Sequence, residues 1–358
     1  MHDVVIVGAG PVGLFLACEL GLAGCSVLVL EREAEPGSLW WADALGTRGL
    51  SAASVEAFRR RGMEVKDAVP TRGGGHFAGM AVDPPGRGGG IEAMLSERAA
   101  ELGGEVRRGV TVSSVTQDDG IVVANDHPAR WLVGCDGGRS AVRGLAGFGF
   151  TGIEPLATGY LMLADLERMP PGLHLTPTGM YLQMPAPGHV GMLDFDGGAF
   201  DRSRQPTREH LQAVLRHVSG TDVTLGEVRQ VSTFTDRAMQ ATTYRKGRAL
   251  LAGDAAHVHS PLGGQGLNLG IGDAVNLGAK LAATVRGDAP EGLLDTYTAE
   301  RHPVGARVLD WTRAQAAVMR PGYAGSPDAR SRAVSLSTSR SSPISAKMAR
   351  AVVRRSRA

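Results

Sequence analysis

The chain is short of the residue types on which several kinds of function depend. Its 358 residues include three cysteines, Cys18, Cys25 and Cys135. The number is odd and no pair is spaced C-x-x-C, so neither a disulfide framework nor a cysteine-based metal or redox centre is expected. Free thiols in a reducing cytoplasm are the expectation. None of the ten histidines shows metal-ligand spacing. No apolar run approaches the ~20 residues that a membrane-spanning helix needs. The first strand begins at the N-terminus, which leaves no room for a signal peptide. Aromatic residues are sparse, at 5%. Glycine is abundant at 50 residues but follows no G-X-Y period, which excludes a fibrous protein and suits a loop-rich nucleotide-binding enzyme.

The net charge of +2 is unevenly spread. Residues 323–358 hold eight Arg or Lys against Asp328, so this Ser/Arg-rich tail carries +7 and the body −5. The basic isoelectric point therefore belongs to the tail and gives the body no affinity for nucleic acid. Neither nucleic acid nor membrane is an expected partner. The length suggests about two domains.

The most informative stretch opens the chain. Residues 4–7 are a short apolar run, as in a strand buried on both faces. Gly8, Gly10 and Gly13 follow as G-x-G-x-x-G, with Pro11 and Val12 between them. A helix over 14–22 and a second buried strand over 27–30 complete the unit, which ends in Glu31 and Arg32. Gly8 permits the turn, Gly10 lets backbone approach a pyrophosphate, and Gly13 lets helix and strand pack closely. Glu31 lies twenty-one residues after Gly10, where a ribose diol meets a carboxylate. The motif predicts an adenine dinucleotide and leaves NAD and FAD open.

Further on, the pattern predicts helices over 50–61 and 92–102, and strands over 76–82, 106–115 and 121–124. Arg48, just ahead of the first helix, is either a surface residue or a bidentate phosphate ligand. A second strand, turn and helix start spans 131–143, with Asp136 and Gly137 in the turn. Residues 149–243 change texture: strands over 160–166, 180–184, 190–195 and 228–235 alternate with Pro/Gly turns and one helix over 207–218, as in an antiparallel sheet. A buried strand over 248–254 ends in Asp254. The loop that follows holds Pro261, Gly263, Gly264 and Gly266, and a long helix begins at Leu267 and Asn268. Helices over 293–301 and 304–319, parted by Pro303, close the fold. These glycines allow close approach to a flat ring, and the helix N-terminus would stabilise the anion of a reduced flavin. Asp254 is placed to bond the hydroxyls of a ribityl chain. His257 and His259 read as loop-packing residues.

The three motifs, G-A-G-P-V-G with Glu31, C-D-G-G-R-S-A-V-R, and L-L-A-G-D-A-A-H-V-H-S-P-L-G-G-Q-G-L-N, together resemble the group A flavoprotein monooxygenases of the para-hydroxybenzoate hydroxylase fold. The closing A-E-R-H-P-V-G-A-R-V-L is similar to the branch that hydroxylates aromatic polyketides. The resemblance covers about residues 1–320. It implies an α/β fold: a Rossmann-like (GR2-type) FAD-binding domain, an inserted, mostly antiparallel β substrate domain, and C-terminal helices. The expected division is 1–70, 91–148 and 244–286 for the FAD domain, 71–90 and 149–243 for the substrate domain, 287–321 for closing helices, and 322–358 for the basic tail.

It also implies roles. Gly8, Gly10, Pro11, Val12 and Gly13 would bind the FAD pyrophosphate, and Glu31 and Arg32 the adenosine end. Arg48 would reach the phosphates. Asp136 and Gly137 fall in a motif linked to both FAD and NADPH; their bland alternative, shared by Asp254, is loop capping. Asp254 would hold the ribityl chain, and Pro261, Gly263, Gly264, Gly266, Leu267 and Asn268 would line the isoalloxazine. No catalytic side chain is expected, because the flavin carries the chemistry.

The implied reaction uses NADPH (or NADH) and O2 to hydroxylate an aromatic, polyketide-like small molecule through a flavin C4a-hydroperoxide. Alternatives are epoxidation, Baeyer–Villiger oxidation, antibiotic inactivation, or a non-catalytic nucleotide-binding flavoprotein. Tyr160, Met162, Met180, Tyr181, Gln183, Met192 and Phe195 are candidate substrate contacts, although methionines and aromatics on strands are more often plain core. No metal is called for, and a homodimer is left open. The pattern departs from the family in G-R-G-G-G at 86–90, where relatives carry a glutamine near the flavin.

Overall fold

The computed structural model describes residues 1–35, 50–63, 76–77, 80–81, 91–118, 120–167, 169–183, 188–261 and 264–321. Strand β1 (His2–Val7) leads through the glycine turn into helix α1 (Pro11–Leu22) and strand β2 (Val27–Glu31). Val4, Val5, Ile6 and Leu28 to Leu30 are almost fully buried. Each such side chain contributes about 1.5–3 kcal/mol on burial, which explains why an unbroken apolar run becomes a central strand. Helix α2 (Ala52–Arg59) is capped by Ser51, whose hydroxyl accepts the Ser54 N–H at 3.2 Å.

The expected strand over 76–82 is a minimal hairpin of β3 (His76–Phe77) and β4 (Met80–Ala81), the neighbouring residues lying outside those described. After α3 (Ile91–Glu101) the expected strand over 106–115 breaks in two, β5 (Glu105–Arg108) and β6 (Val115–Gln117). Gly109 has φ +72°, which ends β5, and Val110 turns back to donate to the Glu31 carbonyl. Strands β7 (Val122–Ala124) and β8 (His127–Gly134) follow, then α4 (Ala141–Leu145).

Among the described residues two large sheets form. In the first, β8 pairs parallel with β1 and β1 with β2, and β2 with β5; β17 (Ala249–Leu251) joins β8 on the far side, with β16 (Arg245–Lys246) antiparallel at the edge. Its register sets Val7 beside Gly134 and Gly134 beside Leu251. The three glycine-rich turns therefore leave the same end of neighbouring strands.

The second sheet is antiparallel, in the order β11 (Gly172–Leu175), β12 (Gly179–Gln183), β13 (His189–Asp194), β10 (Thr158–Leu166), β14 (Leu225–Thr235). Helix α5 (Arg208–Ser219) covers one face. A small sheet of β9 (Phe150–Ile153), β15 (Ala238–Ala241) and β18 (His257–Val258) links the two segments of chain. β9, β11, β15, β16 and β18 carry no periodicity long enough to be read from sequence.

The long α6 (Gly266–Arg286) packs along α1. The two expected closing helices are one, α7 (Thr296–Met319), preceded by a 3₁₀ turn at Leu293–Asp295. Pro303 forfeits one helical bond, yet its surroundings hold the helix through. The Tyr297 hydroxyl donates to the Leu251 carbonyl at 2.8 Å, Arg301 bonds Asp273, and the His302 carbonyl accepts from Gln240 at 2.9 Å. No helix among the described residues is long and apolar enough to cross a membrane. Residues 322–358 lie outside the described residues.

Candidate functional site

The first glycine loop is constrained at two of its glycines and open at the third. Gly8 has φ +106°, and a methyl group on it would lie 2.5 Å from the Cys135 carbonyl oxygen. A methyl on Gly13 would lie 2.0 Å from the Gly8 carbonyl oxygen. On Gly10 a methyl would meet nothing within 4 Å, and the backbone there is ordinary extended chain at φ −74°. Packing therefore explains Gly8 and Gly13 but not Gly10, whose open side faces the position a bound pyrophosphate takes in this type of unit.

The helix beyond is equally receptive. Neither α1 nor α6 has a side chain capping its first turn, and neither carries an acid there. Both present backbone donors and a partial positive charge at the strand ends. The two ends touch. A methyl on Gly270 would lie 2.5 Å from Val12 Cγ2, and one on Gly253 3.2 Å from the same atom. Val12 thus seats the first loop directly on the third.

The candidate carboxylates behave differently from one another. Glu31 accepts the Ala9 N–H at 2.7 Å and the Glu33 N–H at 3.0 Å, so it holds the glycine loop from the end of β2. Asp136 accepts from the Ser140 hydroxyl at 2.5 Å and from the N–H groups of Ala141 and Val142 at 2.6 and 3.1 Å. Its side chain caps α4, the bland role its position allowed. Asp254 lies in a 3₁₀ turn (Gly253–Ala255) with its side chain exposed. Gly137, the neighbour of Asp136, has φ +77° with open space on its free side.

Arg32 is exposed and pairs with Glu33 at 3.1 Å. The Pro261 carbonyl accepts the Gly264 N–H at 3.0 Å, which shapes the turn into α6. Leu267 packs on the main core. The Asn268 carboxamide oxygen accepts from the Ser51 N–H and the Ser54 hydroxyl, both at 2.7 Å. This ties the start of α6 to the start of α2. Arg48 and Gly263 lie outside the described residues.

Beneath the third loop sits a buried network that the sequence reading missed. Asp273 and His257 are both fully buried, 2.6 Å apart at Oδ2 and Nε2. The same oxygen accepts the Gly253 N–H at 3.1 Å, and Oδ1 accepts from Arg301 Nε at 2.7 Å. Gly272 leaves room for the arginine. The turn bearing Asp254 is therefore anchored from α6 and α7. An acid inside an apolar helix face was the available signal.

A second unforeseen feature is a cluster of arginines where the small sheet meets the second motif. The guanidinium carbons of Arg143 and Arg237 lie 3.8 and 5.6 Å from the centre of the Phe150 ring. Arg139 donates to the Arg202 carbonyl, and Arg202 to the Thr233 carbonyl. Arg143 donates to the carbonyls of Ala255 and Gly138, each at 2.9 Å. Among the described residues the one ion pair these four arginines make is that of Arg237 with Glu154, at 4.0 Å. Burial, and repulsion from Arg139 and Arg237, lower the Arg202 pKa. Cations gathered here with few carboxylates about them are an arrangement suited to an anion. They come from three separate stretches of chain, and only Arg139 and Arg143 stood within a motif.

The candidate substrate contacts divide between the faces of the second sheet. Tyr160, Met162, Tyr181 and Met192 are buried against Leu211, Leu215 and Val218 of α5, and Gln183 shares their register face. The Tyr160 hydroxyl meets His210 Nε2 at 2.8 Å, and burial raises its pKa. These four are core. Met180 and Phe195 pack with the opposite face, beside Leu161, Leu173 and Phe234, which are only partly buried. There the Phe234 ring lies flat over Gly159, where a methyl would come within 2.1 Å of it.

A family model described as an FAD binding domain matches residues 1–80 and 89–312. The chain is 42% identical over 363 residues to a 12-dehydrotetracycline 5-monooxygenase/anhydrotetracycline 6-monooxygenase of Streptomyces rimosus, covering 89% of this chain and 70% of that protein. It is 40% identical over 349 residues to a dialkyldecalin synthase of Streptomyces rugosporus, covering 89% and 74%. Among solved structures, the anhydrotetracycline hydroxylase from Streptomyces rimosus superposes with a TM-score of 0.77 at 40% identity, covering 94% of this chain and 72% of that one.

Proposed function

The chain belongs to the FAD-binding domain family, and from that membership we propose that it hydroxylates an aromatic, polyketide-like substrate as an FAD-dependent monooxygenase, with NADPH or NADH as reductant. The observation that carries the reading is the junction of the first and third loops at Val12, with Gly10 left open beside it. The residues fit the cofactor: two uncapped helix ends for its phosphates and flavin edge, and an acid at the end of β2 for its ribose.

Bound there, FAD supplies hydride acceptance and oxygen activation, neither of which an amino-acid side chain provides. The chain's own residues bind and orient. Glu31 takes a ribose hydroxyl on the lone pairs left by Ala9 and Glu33. The α1 amides hold the pyrophosphate. Asp254 bonds the ribityl chain. The α6 amides stabilise negative charge on the flavin edge, and Pro261, Gly264, Gly266, Leu267 and Asn268 border it. The arginines Arg139, Arg143, Arg202 and Arg237 draw in the phosphates of the nicotinamide dinucleotide. The partly buried apolar face with Leu161, Met180, Phe195 and Phe234 receives the aromatic substrate and excludes water. We place the domain boundaries where the two large sheets part, with the small sheet straddling them, and the protein, with its three free thiols, in the cytoplasm.

The test is product mass after incubation with NADPH, O2 and a panel of polyketide aromatics. One added oxygen is expected, with NADPH oxidation accelerated by substrate. A product of unchanged mass would favour the second reading, a ring-forming activity like that named for the dialkyldecalin synthase. Purified protein that takes up no FAD would overturn both.

A further inference from the structure

The loop leading into α6 holds two polar atoms that the fold leaves unused. Nε2 of His259 and the Ser260 hydroxyl are sealed from solvent and have no hydrogen-bond partner. The other ring nitrogen of His259, Nδ1, lies 2.6 Å from the Ser260 carbonyl oxygen. A carbonyl only accepts, so Nδ1 carries the proton and Nε2 presents a lone pair. Burial lowers the imidazole pKa, although the Asp254 carboxylate pulls the other way. The ring is therefore neutral at physiological pH. An unpaired buried acceptor costs about 1–3 kcal/mol, a cost that a ligand donor would offset.

The direction of the lone pair identifies the donor. A methyl placed on Gly266 would lie 3.5 Å from His259 Nε2 and 3.8 Å from Asp254 Oδ1. A neutral imidazole acceptor and a carboxylate acceptor thus flank the same few ångströms at the first residue of α6. The helix end there is a donor. Two acceptors side by side select a ligand with neighbouring hydroxyl groups, while the amides take its acceptor atoms.

We propose that His259 is a cofactor-positioning residue whose Nε2 accepts a hydrogen bond from a ribityl hydroxyl of FAD, beside Asp254. The inference rests on the FAD reading above. It gives His259 a task apart from His257, which is committed to Asp273.

The experiment titrates apoprotein with FAD, and with FAD analogues lacking the ribityl 2′-, 3′- or 4′-hydroxyl in turn, following flavin fluorescence. His259→Leu is expected to raise the Kd for FAD about tenfold, the loss of one well-placed buried hydrogen bond. His259→Gln keeps an acceptor and should bind within about threefold of wild type. One deoxy analogue should bind wild type about tenfold more weakly and be indifferent to His259→Leu. An unchanged Kd in His259→Leu overturns the proposal. So does an equal loss for FAD and every analogue, which would report loop damage alone. Should His259→Leu fail to fold, as judged by circular dichroism of the apoprotein, His259→Phe against His259→Gln gives the same comparison. Wild-type apoprotein that binds no FAD would sink the function reading instead, so the two failures are distinct.

Discussion

Nε2 of His257 lies 2.6 Å from Oδ2 of Asp273, and neither side chain reaches solvent. The carboxylate also serves Arg301 and the Gly253 N–H, so one acid joins α6, α7 and the turn that carries Asp254. Removing it leaves the His257 ring and Arg301 Nε without their acceptor, with only the Leu269 carbonyl still bonding the guanidinium, which costs about 3–5 kcal/mol. Asp273→Ala is expected to lower the Tm by roughly 10 °C, and Asp273→Asn, which keeps one acceptor oxygen, by clearly less. Thermal melts of the two variants check this. Equal Tm values for Asp273→Ala and wild type would show that the network contributes nothing.

The three loop glycines should separate fold from binding. Gly13→Ala forces a methyl to within 2.0 Å of the Gly8 carbonyl oxygen, so the apoprotein itself should lose stability. Gly10→Ala meets no protein atom, so apoprotein melting should stay within about 3 °C of wild type, the range of a weak N-cap change. Its Kd for FAD should rise at least about tenfold, because the methyl occupies space reserved for the pyrophosphate. Gly10→Ala protein with unaltered FAD affinity would move the phosphates elsewhere.

These two cases show what could be read in advance. The first βαβ unit was legible because its strands are unbroken apolar runs and its glycines each have a geometric task. The Asp136 capping role was legible as an alternative, since an acid ahead of a helix start has few other local partners. The Asp273 network was not, because its members are separated by up to 48 residues between Gly253 and Arg301 and meet only through the packing of two long helices. The split of the substrate candidates was also hidden. Strand alternation says that Tyr160 and Leu161 face opposite ways, but not which face α5 covers. The merging of the closing helices around Pro303 required contacts from β15 and β17 that no local pattern contains.

Glu300 joins α7 to α6 and should report on acid stability. Its carboxylate accepts from Lys280 at 2.8 Å and Asn276 at 2.7 Å. These bonds lower its pKa from 4.5 to about 2. The unfolded chain therefore binds the proton first as pH falls, so the contribution is present above pH 4.5 and is lost on the way down through about 2. Glu300→Gln should flatten this part of the stability profile and leave the neutral limb nearly parallel to wild type. The effect should be small, since the group is half exposed to solvent. Denaturant midpoints between pH 5 and 2 measure it, and an unchanged slope would contradict the assignment.

The arginine cluster makes a kinetic prediction. Arg139→Ala and Arg237→Ala each remove one guanidinium from the anion site, where a charge-assisted bond is worth about 1.5–3 kcal/mol. The KM for NADPH should rise about tenfold or more, with kcat at saturation within about twofold, because the bond is made equally in ground and transition states. The salt dependence of NADPH oxidation should weaken in parallel. Steady-state kinetics at two ionic strengths check both. A wild-type KM in both variants would place the nicotinamide phosphates away from Phe150.

The two faces of the antiparallel sheet should respond differently to truncation. Met162 is fully buried against α5, so Met162→Ala should cost about 2–5 kcal/mol of stability while leaving the KM for the aromatic substrate unchanged in protein that remains folded. Phe195 is half-buried on the other face, so Phe195→Ala should cost less stability and raise that KM, with Phe195→Leu restoring most of it. The comparison turns on which side of one strand pair a side chain leaves: Tyr160 and Met192 are register partners that both point to α5, and Gly159 and Leu193 beside them point to the opposite face. A substrate KM that moves with Met162 and not with Phe195 would put the aromatic substrate on the α5 side and reverse the assignment of the two faces.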